Sequence, residues 1–294
     1  MISNALKYQK SSETRGRKRI LAASLVKRIV RTSRANPSKA ATQIKDELNL
    51  PCGVHTVRRC LRDNNLYARS PRKVPLLKKN HIDKRLKFAH DHLLWPLQKW
   101  RNILWTDESK MVLYGGKGSR EYVRRPPNKE YDPRYTRKTL KHGGSSIMVW
   151  ACFSYHGVGP IRLIEKIMDQ YLYVNILQTN MLPYAEDSMP LKWIMQQDND
   201  PKHTSKVAKE WFRENRIEVM EWPAQSPDLN PIENLWTDLK KAVWDEKPTN
   251  NKDLWEVVQK AWYNIPLERC RRLVDSMKDR CVAVIKNNGN ATKY

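Results

Sequence analysis

The chain has 294 residues, 40% of them hydrophobic, and a formal charge of +24. That length allows one large domain or two with a real core, and no apolar run approaches the roughly 18 residues a membrane span needs. The opening MISNALKYQK lacks the apolar segment of a secretory signal. Five cysteines without a CxxC pair argue against a disulfide framework or a structural zinc site, and suit a reducing compartment.

The charge is unevenly spread. Residues 1–90 hold 23 Lys/Arg against 5 Asp/Glu, whereas the rest of the chain holds 32 against 26. A basic module joined to a near-neutral one points to a polyanion reader tethered to a second activity; the alternative is a basic surface that serves only solubility. The first 19 residues end in RGRKR, and Arg17, Lys18 and Arg19 suit an extended arm in a minor groove.

From Ile20 the pattern turns helical. Ile20, Leu21, Leu25, Ile29 and Val30 fall near three-to-four spacing, and the run stops before Asn36-Pro37. Ser38 is placed to cap a second helix carrying Ala41, Ile44 and Leu48. After the break LPCG, a third helix over 54–66 turns Val57, Cys60 and Leu61 inward and Arg58, Arg59 and Arg62 outward. Three short helices with a basic third one make the helix-turn-helix pattern. Its third helix enters a major groove, with His55, Thr56, Arg58, Arg59 and Arg62 as contacts. A plain helical bundle with a basic face is the competing reading. RSPRKVPLLKKNHIDKRLKF (69–88) reads as a basic linker running into a helix near 81–95, and its clusters suit nuclear import.

Beyond the linker, strands alternate with helices. NILWTDESKMVLYG (102–115) predicts two strand-like halves around Asp107, with further strands over 119–125 and 145–154. A helix over 171–181, a strand over 191–198, a helix over 205–214, a strand over 217–222 and a helix over 231–244 follow. This order predicts a mixed sheet covered by helices.

Three carboxylates stand out. Asp107 follows the apolar run Ile103-Leu104-Trp105, and Asp198 follows Trp193-Ile194-Met195. An acid leaving a buried strand is costly unless it is paired, hydrogen-bonded or bound to metal. Asp200 competes with Asp198, but it precedes Pro201 and fits a helix N-cap. Glu233 sits on the helix whose buried stripe is Ile232, Leu235, Trp236, Leu239 and Val243. With Asn230 as N-cap and Pro231 at the first position, it could equally close a capping box. Three carboxylates are what a hard cation requires. Two such ions about 4 Å apart serve an in-line displacement at phosphorus. Beside a DNA-reading module, that chemistry points to strand cleavage or transfer.

WTDES, QQDNDPKHTS and WPAQSPDLNPIENLW together resemble the three catalytic blocks of the Tc/mariner superfamily of DNA transposases. The 34 residues between Asp198 and Glu233, and a Glu in third place, resemble its Tc-like branch. KHGGSSIMVWACFS (141–154) and the closing SMKDRCVAVIKNNGNATKY extend the likeness over nearly the whole chain. The resemblance implies an α/β RNase H-like catalytic domain over 96–294, with a clamp-like insertion over about 115–146. Before it would come a small all-α helix-turn-helix domain over 20–68 and a linker with connecting helix over 69–95. Residues 1–19 resemble the remnant of a first DNA-binding unit with its GRPR-like stretch, most of that unit being absent.

By the same resemblance, Asp107, Asp198 and Glu233 hold two Mg²⁺ ions, with Mn²⁺ able to substitute. The chain binds terminal inverted repeats, frees the element's ends and joins their 3′-hydroxyls to TA target sites. It works as a homodimer on DNA, in the nucleus and without a membrane. The alternative is a truncated or domesticated copy that binds DNA and is catalytically silent. A general ribonuclease of the same fold leaves the helix-turn-helix unexplained.

Overall fold

The computed structural model describes residues 20–69, 74–113 and 145–294, which fall into two units, Met1–Lys73 and Val74–Tyr294. In the first unit, helices α1 (Ala23–Ala35), α2 (Ala41–Glu47) and α3 (Val54–Asp63) close around Ile29, Ile44 and Val57, all fully buried. Between α2 and α3 the chain turns through Asn49 in left-handed backbone, φ 45°, a conformation Asn tolerates better than most residues. Ser38 does not cap α2. The helix opens at Ala40, whose N–H is taken by Gln43 Oε1 at 2.9 Å, so a side chain inside the first turn does the work expected of one before it.

In the second unit, α4 (Lys79–His92) and α5 (Leu97–Arg101) lead into a five-stranded sheet. Its strands are β1 (Ile103–Val112), β2 (Ser146–Ser154), β3 (Gly157–Ile164), β4 (Ile194–Gln196) and β5 (Glu218–Val219), in the order β3-β2-β1-β4-β5. β1–β2 and β2–β3 are antiparallel, while β1–β4 and β4–β5 are parallel. Both faces are covered. Leu104 and Trp150 pack with α6 (Gln170–Ile176), α7 (Leu182–Ser188) and α8 (Lys206–Glu214). Ile103, Trp105 and Val149 pack on the other face with α4, α9 (Ile232–Glu246), α10 (Asn251–Tyr263), α11 (Leu267–Asp275) and α12 (Met277–Lys286). Residues one apart in β1 thus enter different cores, as the two-residue period of a strand requires. This is the RNase H-like arrangement that the motif blocks implied.

Several elements differ from the sequence expectation. Residues 103–112 form one continuous strand, so Asp107 stands mid-strand and not at an element end. β3 was not anticipated, because Gly157, Gly159 and Pro160 read as turn residues; its hairpin with β2 buries Ile161 and Ile164. β4 and β5 shrink to three and two residues. The helix expected over 171–181 continues through a π turn, Leu177–Met181, into α7. Pro183 has no N–H to return to that turn, which the wider register accommodates. Helices α10 to α12 lay outside the expected elements. The expected strand over 119–125, nearly all of the insertion over 115–146, and Arg17, Lys18 and Arg19 lie outside the described residues.

Candidate active site

The sheet register brings the first two carboxylates together. In the parallel β1–β4 pair Trp105 lies opposite Gln196. Asp107 stands two residues further along β1, and Asp198 two residues beyond the end of β4. Both line an open cleft of about 390 Å³ together with Asp200, Trp222, Gln225 and Glu233. Among the described residues, no Lys, Arg or His lines it.

Glu233 reaches the cleft through α9. The capping-box alternative fails on geometry: the Asn230 N–H bonds Pro227 O at 3.0 Å, and the Glu233 carboxylate takes no hydrogen bond among the described residues. Asn230 Oδ1 meets only the Ile232 N–H, at 3.5 Å. One turn on from Glu233, Trp236 is buried and its indole Nε1 donates to Asp107 Oδ2 at 3.0 Å. The expected stripe of Ile232, Leu235, Trp236, Leu239 and Val243 is buried throughout. The same packing that fixes the helix face therefore aims Glu233 toward Asp107. Trp236 stacks on Trp262 at 5.5 Å, and Trp262 donates to Gly159 O at 2.8 Å, tying this contact back to β3.

The loop that starts α9 is anchored by two buried arginines. Arg85 of α4 donates to both oxygens of Asp228 at 2.7 Å, and its Nε donates to Gly289 O at 2.8 Å. Thr292 adds its N–H at 2.8 Å and its hydroxyl at 2.9 Å to Asp228. Arg280 of α12 donates to Asp228 O at 2.7 Å and to Asn234 Oδ1 at 2.6 Å. Gly289 is needed for this approach: its φ is +77°, and a Cβ there would meet Ile82 atoms at 2.7 Å. So α4, the C-terminal tail and the SPDLNP loop are cross-linked five residues before Glu233.

On the other side of the cleft, His203 bridges Asp198 and Glu108. Its Nδ1 lies 2.6 Å from Asp198 Oδ1 and its Nε2 lies 3.0 Å from Glu108 Oε1. Burial disfavours the charged ring, but these two bonds outweigh it and push its pKa up to about 9, so both nitrogens donate at neutral pH. Burial also opposes ionisation of Asp198, yet His203 and the Asp200 N–H hold that carboxyl below its usual range. Asp200 does not cap α8. It accepts the Lys202 N–H at 3.1 Å and pairs with Lys202 Nζ at 3.0 Å, heading a single turn, while Ser205 caps the helix itself.

Asp107 is set apart from Asp198. Burial first, then the nearby charges of Glu233 and Glu108, push its pKa up to about 8. Burial raises Glu233 as well. Crowded carboxylates that resist ionisation, with oxygen the only donor atom, fit a hard divalent cation that would relieve their repulsion. Among the described residues, no three His, Cys, Asp or Glu side chains stand close enough to form a ready-made ion site. The carboxylates would have to draw inward around an ion.

In the first unit, His55, Arg58, Arg59 and Arg62 are exposed on α3 and Thr56 is half-buried. His55, Thr56, Arg58 and Arg59 lie in the first two turns of α3 and Arg62 in its last, all on or near its outer face. The residues missed in the sequence were Arg85, Asp228, Arg280, His203, Glu108 and the indole of Trp236. Four of them lay in the motif blocks: Glu108 in WTDES, His203 after DNDPK, and Asp228 and Trp236 in WPAQSPDLNPIENLW.

Comparison with known proteins places this geometry. Residues 102–255 match the family described as DDE superfamily endonuclease, and residues 26–94 match one described as Transposase. The Transposable element Tc1 transposase of Caenorhabditis elegans is 42% identical over 270 residues, which cover 90% of this chain and 98% of the relative. Among solved structures, the Mos1 transposase paired-end complex with left transposon end superposes with a TM-score of 0.81 at 17% identity, covering 96% of this chain and 83% of that one. The Mos1 mariner paired end complex with Mg gives 0.79 at 16% identity, covering 97% and 85%. A helix-turn-helix unit, a mixed sheet with its carboxylate cleft, and these matches together make the chain a member of the Tc1/mariner family of DNA transposases.

Proposed function

We propose that the cleft cuts and joins DNA strands with two Mg²⁺ ions, Mn²⁺ being able to substitute, held by Asp107, Asp198 and Glu233. The observation that carries this reading is the convergence of the three carboxylates on one cleft, with no basic residue among the described ones that line it. When bound, such ions supply an activated attacking hydroxyl and neutralise charge on the scissile phosphate. The chain's own side chains prepare that state. His203 keeps Asp198 ionised and fixes its rotamer. Trp236 holds Oδ2 of Asp107. A bound cation would favour the ionised Asp107, which burial and the charge of Glu233 otherwise disfavour. The Arg85–Asp228 lock fixes the start of the helix bearing Glu233. Support comes from the similarly folded Mos1 transposase, described with a transposon end in one structure and with Mg in another.

In this reading residues 20–68 bind the element's terminal inverted repeats, using Arg58, Arg59, Arg62, His55 and Thr56, with Arg17, Lys18 and Arg19 in the minor groove. Residues 96–294 cleave the repeat ends and join the 3′-hydroxyls to TA sites. A homodimer assembles on DNA, and the basic stretch 69–88 directs import to the nucleus. The test incubates the purified chain with terminal-repeat duplex and Mg²⁺ or Mn²⁺: nicking is expected, and it must be lost in D198A. Binding that persists with no cleavage in either metal would leave only the DNA-binding reading.

A further inference from the structure

Six non-glycine residues among those described take left-handed backbone. Asn49, Asn65, Arg216, Lys247 and Asn288 lie within two residues of a helix C-terminus, where this conformation closes the helix. Gln225, at φ 56°, ends no helix; it stands in the wall of the carboxylate cleft with its side chain exposed. A glutamine gains little there from its own side chain, so the strain is held from outside. Its carbonyl accepts Arg85 Nη1 at 3.4 Å, and Asp228, three residues on, is locked by the same guanidinium. The fold thus forces the Gln225 backbone into a costly conformation at the rim of the site.

The amide so presented makes no hydrogen bond among the described residues. Two neighbouring donors are engaged within the chain: Asn199 Nδ2 with Trp222 O at 2.7 Å, and Ser226 Oγ with Ala224 O at 3.2 Å. Among the described residues, those lining this cleft include acidic side chains and no basic one. Bound ions answer the phosphate being cut, but the phosphates beside it need a neutral donor. We infer that Gln225 is a substrate contact whose Nε2 donates to a phosphate oxygen of the DNA strand, next to the scissile position. This rests on the cleft being where DNA is cut.

The test uses the full chain and a duplex carrying the terminal inverted repeat that flanks its gene. Q225G relaxes the left-handed backbone and removes the amide. It is expected to keep or raise the melting temperature and to leave the Mn²⁺ midpoint unchanged. Nicking should slow about 10- to 100-fold, the worth of one hydrogen bond to a charged group. Q225E should fall further, because its carboxylate repels the phosphate. Nicking by Q225G within twofold of the wild-type rate would overturn the assignment. A second readout needs no cleavage: Q225C is offered to the same duplex with a disulfide-activated tether on the phosphate beside the expected cut. A cross-link absent from the wild-type chain supports the contact, and its absence overturns it. Failure of the wild-type chain to nick in either metal would sink the catalytic reading, while the cross-link would still decide the role of Gln225.

Discussion

Breaking the Arg85–Asp228 pair tests how the loop holds the helix that bears Glu233. Arg85 is fully buried and the Asp228 side chain is 7% exposed, joined by two bonds of 2.7 Å. Removing one partner strands the other's charge in the interior, at a cost of about 3–5 kcal/mol. In a unit of this size each kcal/mol moves the melting temperature by about 2–4 °C. D228N and R85M are therefore each expected to lower it by roughly 6–20 °C. The double variant R85M/D228L leaves no charge stranded and should recover much of that loss. Thermal unfolding followed by circular dichroism reads all three. Single-variant shifts below about 2 °C, or a double variant equal to the sum of the singles, would refute the reasoning. The pH dependence has a definite sign. Burial works against the Asp228 carboxylate, but Arg85 and Thr292 outweigh it and hold the group below its ordinary 3.8. Its contribution is thus complete above that value and is lost as pH falls through the folded value, where wild type and D228N should converge.

Three further outcomes follow from the site. W236F keeps a ring against Trp262 but removes the donor to Asp107; metal binding read by terbium luminescence should weaken about 10- to 100-fold, and a change below twofold would make the indole bond incidental. Asp107, raised from 3.8 to about 8, binds its proton more tightly folded than unfolded, so metal-free stability should decline as pH rises between those values. D107N should flatten that decline, and Mg²⁺ binding at pH 7 should release a proton, seen as a buffer-dependent heat in calorimetry; no dependence on buffer contradicts the shift. Replacing Arg58, Arg59 or Arg62 singly by Ala should reduce the salt slope of repeat binding by about 1 wherever that residue meets a phosphate, and unchanged slopes in all three would remove α3 from the interface.

The parts legible in the sequence were those governed by periodicity. The α9 stripe from Ile232 to Val243 and Val57 and Cys60 of α3 follow the helical period and are buried, while Leu61, expected inward with them, is half-buried. The grouping of Asp107, Asp198 and Glu233 was legible through the three motif blocks, and the structure brings them to one cleft. What escaped depends on contacts distant in sequence. Arg85 and Arg280 look like ordinary solvated cations in basic stretches, yet both are buried and hydrogen-bonded across 143 and 52 residues respectively. The capping box at Glu233 was plausible by spacing alone. It failed because the Pro227 carbonyl, in a turn whose geometry the spacing does not specify, had already taken the Asn230 N–H. β3 was hidden because Gly157, Gly159 and Pro160 mimic a loop, although pairing with β2 supplies the strand with its order.

In the proposed reaction Asp107, Asp198 and Glu233 act together to hold the metal ions with which the cleft cuts DNA. The most direct test compares Mn²⁺ binding by calorimetry with nicking of terminal-repeat duplex in D107N, D198N and E233Q, each checked for an intact melting transition. Each folded variant is expected to bind Mn²⁺ at least about tenfold more weakly and to lose nicking together with binding. A folded variant that keeps wild-type metal affinity and still nicks the duplex would contradict it.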